Sequence, residues 1–396
     1  MNSSANKSRT LWLDYLRTFI TVLVVAHHSS LAYTTFASFD KNAYINSTNP
    51  IVDAKRWIGL DIFENFNDIF FMFLMFFISG LFVFKSIESK GTLVFIKDRA
   101  MRLFFPFLII GTIAMLIAYY PSYYVAHNNW NIIDYIIDFF TTEQWPVGPP
   151  WFIWVLFTFN ILLSGIYVLL RNSLIKLADK FNSLENRPAL FFTLFFILMW
   201  VLYVPIAYNI GAGTWTGYGP FDFQLSRILA YFGFFIFGVI VGKSDYINRL
   251  FSDKSRIIKQ WKYWMLFSIL LYTAITINNE SAFLYTLVTT NKVSEFSAWM
   301  IYYSFYVACC VTSCIAFISI FRLFIKKSNS SWDSLSSNAY LIYLIHYIFI
   351  VWGQFLLLEV NLHAAIKFLL VFSFSLFASW VISIALRRVN FIKKYL

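Results

Sequence analysis

The sequence predicts an all-α polytopic membrane protein, a bundle of about ten transmembrane helices. The 396 residues are 59% hydrophobic and only 13% charged, about half the charged fraction of a soluble domain. The apolar residues occur in runs of about 20, the length that crosses the hydrocarbon core of a bilayer. The segments between these runs are too short to form a separate soluble domain, so we treat residues 1–396 as one integral membrane domain.

Ten apolar runs define the predicted helices. The second and sixth have the least certain edges, because Asn65, Asn67 and Asp68 begin one and Asp222 and Arg227 begin the other. An even number of helices places both termini on the same side of the membrane. The predicted helices lie near residues 11–33, 66–87, 101–120, 150–170, 189–209, 225–243, 262–279, 297–321, 338–359 and 364–386.

The distribution of cations predicts that both termini are cytosolic. Of the 31 Lys and Arg residues, 24 flank the helix ends on the side of the N-terminus, six lie on the opposite side, and Arg17 lies within the first helix. Cytoplasmic segments of membrane proteins carry such an excess of Lys and Arg. The six on the outer side are Lys41, Lys55, Arg56, Arg227, Lys292 and Lys367.

The net charge and the cysteines exclude several classes of function. The charge of +11 is dispersed between apolar runs rather than clustered, which argues against nucleic-acid binding. Cys309, Cys310 and Cys314 lie in one apolar segment without a CxxC pattern, so we expect neither a disulfide framework nor a metal site. The outer segments near 34–65 and 121–149 are rich in Asn, Tyr, Trp and acids, a composition that suits a sugar and equally an ordinary loop surface.

The first predicted helix carries ionisable residues inside its apolar run. Such residues are costly in a bilayer and normally face a protein interior or a watery cavity. His28 follows Arg17 by eleven positions. In a regular helix this corresponds to a net rotation of roughly 20° about the helix axis and a rise of about 16 Å along it. Asp14 and Thr21 lie within about 60° of that line, whereas His27 points roughly 80° away from Arg17. One helix face therefore carries Asp14, Arg17, Thr21 and His28.

This face makes His28 the leading catalytic candidate. Imidazole is the side chain best suited to proton transfer near neutral pH. Asp14 most simply pairs with Arg17, which limits the cost of a buried charge. The alternative is a signal anchor whose polar residues are merely hydrogen-bonded. An anchor needs neither the Arg nor the His, and no cleavage site of small residues follows the apolar run.

A pair of arginines stands where the third helix enters the membrane from the cytosolic side. In a regular helix Arg99 and Arg102 share a face and would together bind one phosphate group. The alternative is ordinary positive-inside flanking. Ser79-Gly80 in the second helix and the rigid segment 148–154 before the fourth are more typical of close packing than of chemistry.

A second histidine lies about halfway across the ninth predicted helix. His346 follows Tyr343 by one helical turn, and an ionisable residue at this depth indicates either function or a satisfied hydrogen bond. We group these two residues with Trp151, the first aromatic residue of the fourth helix, as a candidate second site.

Taken together, these motifs resemble the acyltransferase 3 family of membrane-bound acyltransferases, and residues 28–33 resemble its subgroup of periplasmic glucan succinyltransferases. The order and spacing of the motifs along nearly the whole chain carry the resemblance. The motifs are Leu13-Asp14-Tyr15-Leu16-Arg17 with His28 at the Arg-x10-His spacing, Phe76-Phe77-Ile78-Ser79-Gly80, Arg99-x-x-Arg102, Trp151-Phe152 with Trp154, and Tyr343-Leu344-Ile345-His346.

The resemblance implies transfer of an acyl group, acetyl or succinyl, from cytosolic acyl-CoA to a hydroxyl of an extracytoplasmic glycan or glycolipid. It implies a multi-pass protein of a bacterial inner or plasma membrane, with acyl-CoA as co-substrate and no permanently bound cofactor. His28 matches the catalytic His of the family, Arg17 its partner, and Arg99 and Arg102 its coenzyme A site. Direct attack by the acceptor and an acyl-His intermediate both remain open.

The sequence departs from the family pattern at one position. It is also compatible with one function other than acyl transfer. Pro149 occupies the place of a His that members often have two residues before the Trp-Phe pair, so that role is either absent here or filled by another residue. The rival is a secondary transporter of a polar solute, with Arg17, His28 and His346 along its path. Composition and topology suit both functions, and the motif set favours the enzyme.

The cation distribution gives a topology prediction. The segments near Asn46 and Asn129 are expected to face outward and those near Lys180 and Arg256 to face the cytosol. Single cysteines introduced into a variant without the three native cysteines can be labelled with a membrane-impermeant reagent. Labelling of positions 46 and 180 from the same side would contradict this topology.

Overall fold

The computed structural model describes residues 2–396, and the side chains of residues 11–181 and 183–396. Ten long helical segments form a bundle. They are α1 (Asn2–Leu31), α2 (Ile58–Lys90), α3 (Thr92–His127), α4 (Trp151–Asn186), α5 (Pro188–Ile210), α6 (Leu225–Lys243), α7 (Trp261–Ser281), α8 (Glu295–Phe324), α9 (Ser330–Leu356) and α10 (Ala364–Leu386).

Eight of these segments, all except α1 and α7, are long and apolar enough to cross a membrane. The prediction of an all-α polytopic membrane protein is therefore confirmed. Strand structure in the described part of the chain is limited to Trp215–Thr216 paired antiparallel with Phe223–Gln224. Short helices occupy Tyr44–Asn46, Ile132–Phe140, Gly219–Phe221, Arg256–Lys259, Phe283–Thr289 and Asn390–Tyr395.

The start of α2 corrects the sequence analysis. The helix begins at Ile58 and not near residue 66, so that Asp61, Glu64 and Asp68 lie within it. A prediction based on hydropathy places the end of a membrane-spanning helix at such residues, because an unpaired carboxylate is costly away from water. Here each carboxylate has a partner elsewhere in the bundle, and the helix continues past all three.

The segment between α3 and α4 also differs from the predicted loop. It contains the helix Ile132–Phe140, which begins where the Asn131 side chain accepts a hydrogen bond from the Ile133 amide. Asn is a preferred residue at this capping position. Tyr135 and Phe139 form the buried face of this short amphipathic helix, which packs on the end of α3.

The outer segments are fixed to the bundle by buried polar contacts. Lys367 of α10 pairs with Asp53 at 2.5 Å, and both side chains are buried. Glu143 accepts hydrogen bonds from the Tyr44 amide at 2.9 Å and from the Ile45 amide. Burial raises the pKa of Glu143 to about 7, although the two amide donors act in the opposite direction. These contacts join residues far apart in sequence into one cap over the outer end.

The two chain ends lie at the same end of the bundle. Leu396 lines a cavity together with Arg17 from the first half of α1 and Arg99 from α3. This agrees with an even number of crossings. The side of the membrane on which they lie stays a prediction.

Glycines allow α2 and α6 to cross in close contact. A Cβ at Gly80 would overlap the Phe235 carbonyl, and a Cβ at Gly238 would overlap the Phe77 carbonyl. Small residues of this kind let backbones approach in membrane bundles. The sequence predicts a close backbone approach at Ser79-Gly80, and the structure shows that the partner there is a glycine-containing segment of α6. The sequence analysis did not single out these glycines of α6.

We expect Gly80→Ala and Gly238→Ala each to lower the free energy of unfolding by about 1–3 kcal/mol, because the new methyl group meets backbone that cannot rotate away. Thermal unfolding of the purified protein would measure this. Gly165→Ala within α4 is the matched control, since a Cβ there meets no described atom within 4 Å. Equal stability of all three variants would show that the crossing tolerates a wider separation.

Candidate active site

The first half of α1 carries an exposed ion pair. An Nη atom of Arg17 lies 3.4 Å from an Oδ atom of Asp14, and both side chains are 45% exposed. One turn further, the Thr21 hydroxyl donates to the Arg17 carbonyl at 3.2 Å. The three side chains follow one another along the helix face that the spacing predicted.

His28 lies further along α1 in a partly exposed position. Its Nδ1 atom is 2.8 Å from the Val24 carbonyl oxygen and 3.4 Å from Nε2 of His346. A carbonyl oxygen can only accept, so Nδ1 of neutral His28 carries the proton. Nε2 of His28 is then left with a free lone pair, which is the form required of a general base.

His346 is fully buried and supports His28 from α9. Its Nδ1 atom donates to the Tyr343 carbonyl oxygen at 2.7 Å, which leaves the Nε2 lone pair directed at the His28 ring. The fold thus joins two histidines that are 318 residues apart.

A cavity of about 310 Å³ opens beside the Arg17 end of α1, and we call it the inner cavity. Its volume is at the lower end of the roughly 300–1,000 Å³ range of ligand pockets. The residues of the inner cavity that matter for its chemistry are Arg17, Thr21, Arg99, Asn160, Tyr340 and Tyr343.

Tyr343 links the wall of the inner cavity to the histidine pair. The residue lines the cavity, and its carbonyl holds His346. The Tyr343 hydroxyl donates to the Pro149 carbonyl oxygen, which fixes the ring. Asn160 is buried in the wall and donates to the Leu156 carbonyl at 2.6 Å, while its Oδ1 atom has no partner among the described residues. That oxygen can accept a hydrogen bond from a ligand.

The two arginines of α3 are not equivalent in the structure. Arg99 lines the inner cavity and lies over the Phe95 ring at 4.9 Å. Arg102 is exposed and is not one of the residues lining the cavity. Residues Ala100–Phe104 form a π-helical turn, which rotates less per residue than an α-helix because its hydrogen bonds span five residues. The expectation that both share one face of a regular helix is therefore corrected.

Trp151 does not join Tyr343 and His346. Its ring packs against Tyr231 and Trp215, with ring centroids 5.6 Å apart in both pairs. Its neighbour Phe152 contacts Tyr343 instead, at 6.0 Å. Successive residues of a helix point about 100° apart, so only one of the two can face α9. The structure thus places the Trp151 ring against Tyr231 and Trp215, and its part in a second site with His346 stays a prediction.

The structure adds a polar cluster that the sequence analysis assigned to helix edges. Nε2 of His27 lies 3.6 Å from a carboxylate oxygen of Glu64, and Arg227 forms a two-point ion pair with Asp68 at 2.8 and 2.5 Å. The Arg227 side chain is only 6% exposed. The acidic residues inside an otherwise apolar helix are the feature of the sequence that could have predicted this cluster, because such residues are candidates for functional sites.

A comparison with known families identifies a match over nearly the whole chain. The family model of the acyltransferase domain, acyltransferase 3, matches residues 10–388. No curated protein and no solved structure matches the chain. The matched range contains the histidine pair, the His27–Asp68 cluster and every residue that lines the inner cavity except Leu396.

Proposed function

The chain belongs to the acyltransferase 3 family, which confirms the resemblance noted in the sequence, and on that premise we propose a donor, an acceptor and a direction for its reaction. It is a membrane acyltransferase. The proposed reaction moves an acetyl or succinyl group from cytosolic acyl-CoA to a hydroxyl of an extracytoplasmic glycan or glycolipid. The observation that carries the proposal is the inner cavity, which is lined by two arginines and by Tyr343, the residue whose carbonyl oxygen holds His346.

The charge of the inner cavity suits the donor. Arg17 and Arg99 are the charged side chains among the described residues that line it, so the cavity attracts anions. Guanidinium groups bind phosphate through paired, charge-assisted hydrogen bonds. We assign these two residues to the phosphates of coenzyme A at the end of the bundle that the cation distribution predicts to be cytosolic.

The length of α1 suits the pantetheine arm of the donor. The helix is continuous from Asn2 to Leu31, so Arg17 and His28 are about 16 Å apart along its axis. This is comparable to an extended pantetheine arm, whose amide N–H groups can donate to Oδ1 of Asn160. The thioester then reaches the histidine pair while the nucleotide stays at the mouth.

His28 has the geometry of a general base. Its Nε2 takes the proton of the acceptor hydroxyl, the oxygen forms a bond with the thioester carbonyl carbon, and the carbon–sulfur bond breaks. The proton on Nε2 then passes to the departing thiolate, which leaves as coenzyme A. Val24 and His346 hold the ring through its Nδ1 atom, as an orienting partner does in a catalytic triad.

Consumption of thioester by the purified protein tests the proposed function. The full chain in lipid nanodiscs would be given acetyl-CoA or succinyl-CoA together with a soluble glycan, and free thiol would be measured. Release of thiol with acylation of the glycan supports the proposal. A protein that moves a solute across vesicles without consuming any thioester would instead be the transporter.

His28→Ala is expected to reduce acyl transfer by a factor of about 10² to 10⁴, the usual contribution of a general base. His27→Ala is the matched control on the adjacent position, and it should retain much of the activity because His27 faces Glu64 and not His346. Turnover of each purified variant is the measurement, with acyl-CoA binding followed in parallel to exclude misfolding. An inactive His27→Ala variant beside an active His28→Ala variant would reverse the assignment.

Arg99→Ala is expected to weaken acyl-CoA binding by about tenfold, the effect of losing one charge-assisted hydrogen bond or two. Arg102→Ala should have a smaller effect, because the π-helical turn directs that side chain outside the inner cavity. Equilibrium binding of acyl-CoA distinguishes these variants, and turnover at saturating donor should change little. An equal loss of acyl-CoA affinity in both variants would instead support a phosphate site shared by Arg99 and Arg102, as regular helical spacing predicts.

A further inference from the structure

A second polar cavity of about 150 Å³ lies at the opposite end of the bundle from the inner cavity, and we call it the outer cavity. It is bounded by the beginning of α2 and the end of α7, whereas the inner cavity is bounded by the end of α2 at Ser79. Its polar lining includes Asp61, Asp68, Tyr203, Arg227, Glu280 and Tyr306.

Three buried polar atoms of this lining have no hydrogen-bond partner among the described residues. They are the hydroxyls of Tyr203 and Tyr306 and Nε of Arg227. Tyr203 is fully buried and Tyr306 is 7% exposed. A buried polar group without a partner costs about 1–3 kcal/mol, and such groups are few in native proteins. Three of them around one cavity indicate a site whose hydrogen bonds are completed by a polar ligand.

The charge of the outer cavity disfavours an anionic ligand. The lining carries the carboxylates of Asp61, Asp68 and Glu280 against one guanidinium, a formal net charge of −2. That guanidinium, Arg227, is already paired with Asp68. An anionic ligand would therefore meet net repulsion, while a neutral ligand with many hydroxyls can donate to the carboxylates and bond with the tyrosine hydroxyls.

We propose that the outer cavity binds one neutral hexose unit of the acceptor carbohydrate. This inference rests on the proposed function, since it names the substrate class of the same reaction. A cavity of 150 Å³ accommodates benzene, so the outer cavity has room for the six-membered ring of a hexose, while part of its hydroxyl groups would extend beyond the cavity. The tyrosine rings of the lining offer apolar faces to the sugar ring and hydroxyls to its edge.

The outer cavity adjoins the histidines through α2. Asp61 and Asp68, which line it, flank Glu64 on the same helix, and Glu64 contacts His27 at 3.6 Å. The rings of His27 and His28 are adjacent, with centroids 5.2 Å apart. A hexose held in the outer cavity therefore lies on the far side of the histidines from the inner cavity, and the next hydroxyl along the carbohydrate can approach His28.

Tyrosine variants distinguish a ligand site from a structural cluster. Tyr203→Phe and Tyr306→Phe remove only a buried hydroxyl that has no protein partner, so each should leave the melting temperature of the ligand-free protein unchanged or higher. Tyr33→Phe is the matched control, because its hydroxyl is also buried without a partner among the described residues but does not line the outer cavity.

Binding is measured by the shift in melting temperature of the full chain in nanodiscs, which needs no acyl transfer. The probes are the methyl glycosides of glucose, galactose and mannose and the methyl glycoside of glucuronic acid. At least one neutral glycoside should stabilise the wild-type protein, and the glucuronide should stabilise it less. Tyr203→Phe and Tyr306→Phe should each weaken that binding about fivefold to tenfold, and Tyr33→Phe should not.

The inference is overturned if none of the three neutral glycosides stabilises the protein, if the glucuronide binds best, or if the Tyr203 and Tyr306 variants respond as the Tyr33 variant does. The last result would assign the outer cavity to bound water alone. Loss of the proposed function would be seen separately, as a wild-type protein that binds a glycoside but consumes no thioester.

Discussion

The cost of a charge in hydrocarbon is the constraint on which the rest of this structure depends. A buried ion is tolerated in a bundle only when a partner neutralises it and further hydrogen bonds satisfy it. Asp68 pairs with Arg227, which joins α2 to α6, and Lys367 pairs with Asp53, which joins α10 to the outer cap. These pairs bring together segments far apart in sequence, while glycines at the crossing of α2 and α6 allow the close packing.

Each of the two cavities is lined by at least one buried polar group that lacks such a partner among the described residues. Asn160 has a free oxygen in the inner cavity, and Tyr203, Tyr306 and Arg227 have free atoms at the outer one. The inner cavity is lined by cations and the outer cavity by a net negative set of side chains. This difference suits the anionic donor and the neutral acceptor that we propose, which would reach His28 from opposite ends of the bundle.

The errors of the sequence analysis share one cause, the assumption that local rules hold at polar positions. Arg102 was grouped with Arg99 on the basis of regular helical spacing, and a π-helical turn separates them. The candidate second site includes Trp151 with His346, and the rotation of α4 directs the Trp151 ring to Tyr231 of α6 instead. The predicted start of α2 near residue 66 is too late, because polar residues such as Asp61 are typical of a helix end. In the structure these residues have partners in other segments, so they lie within the helix.

The sequence by itself determined the membrane class, the positions of the long helices and the common face of Arg17, Thr21 and His28. These properties depend on hydropathy and on helical periodicity, which are local and can be read from neighbouring residues. Only the tertiary structure decided that His346 meets His28, that Arg227 meets Asp68 and that two cavities of opposite charge form. Such contacts depend on which helices are neighbours and how they are rotated, and this is decided by the packing of the whole bundle rather than by any one segment.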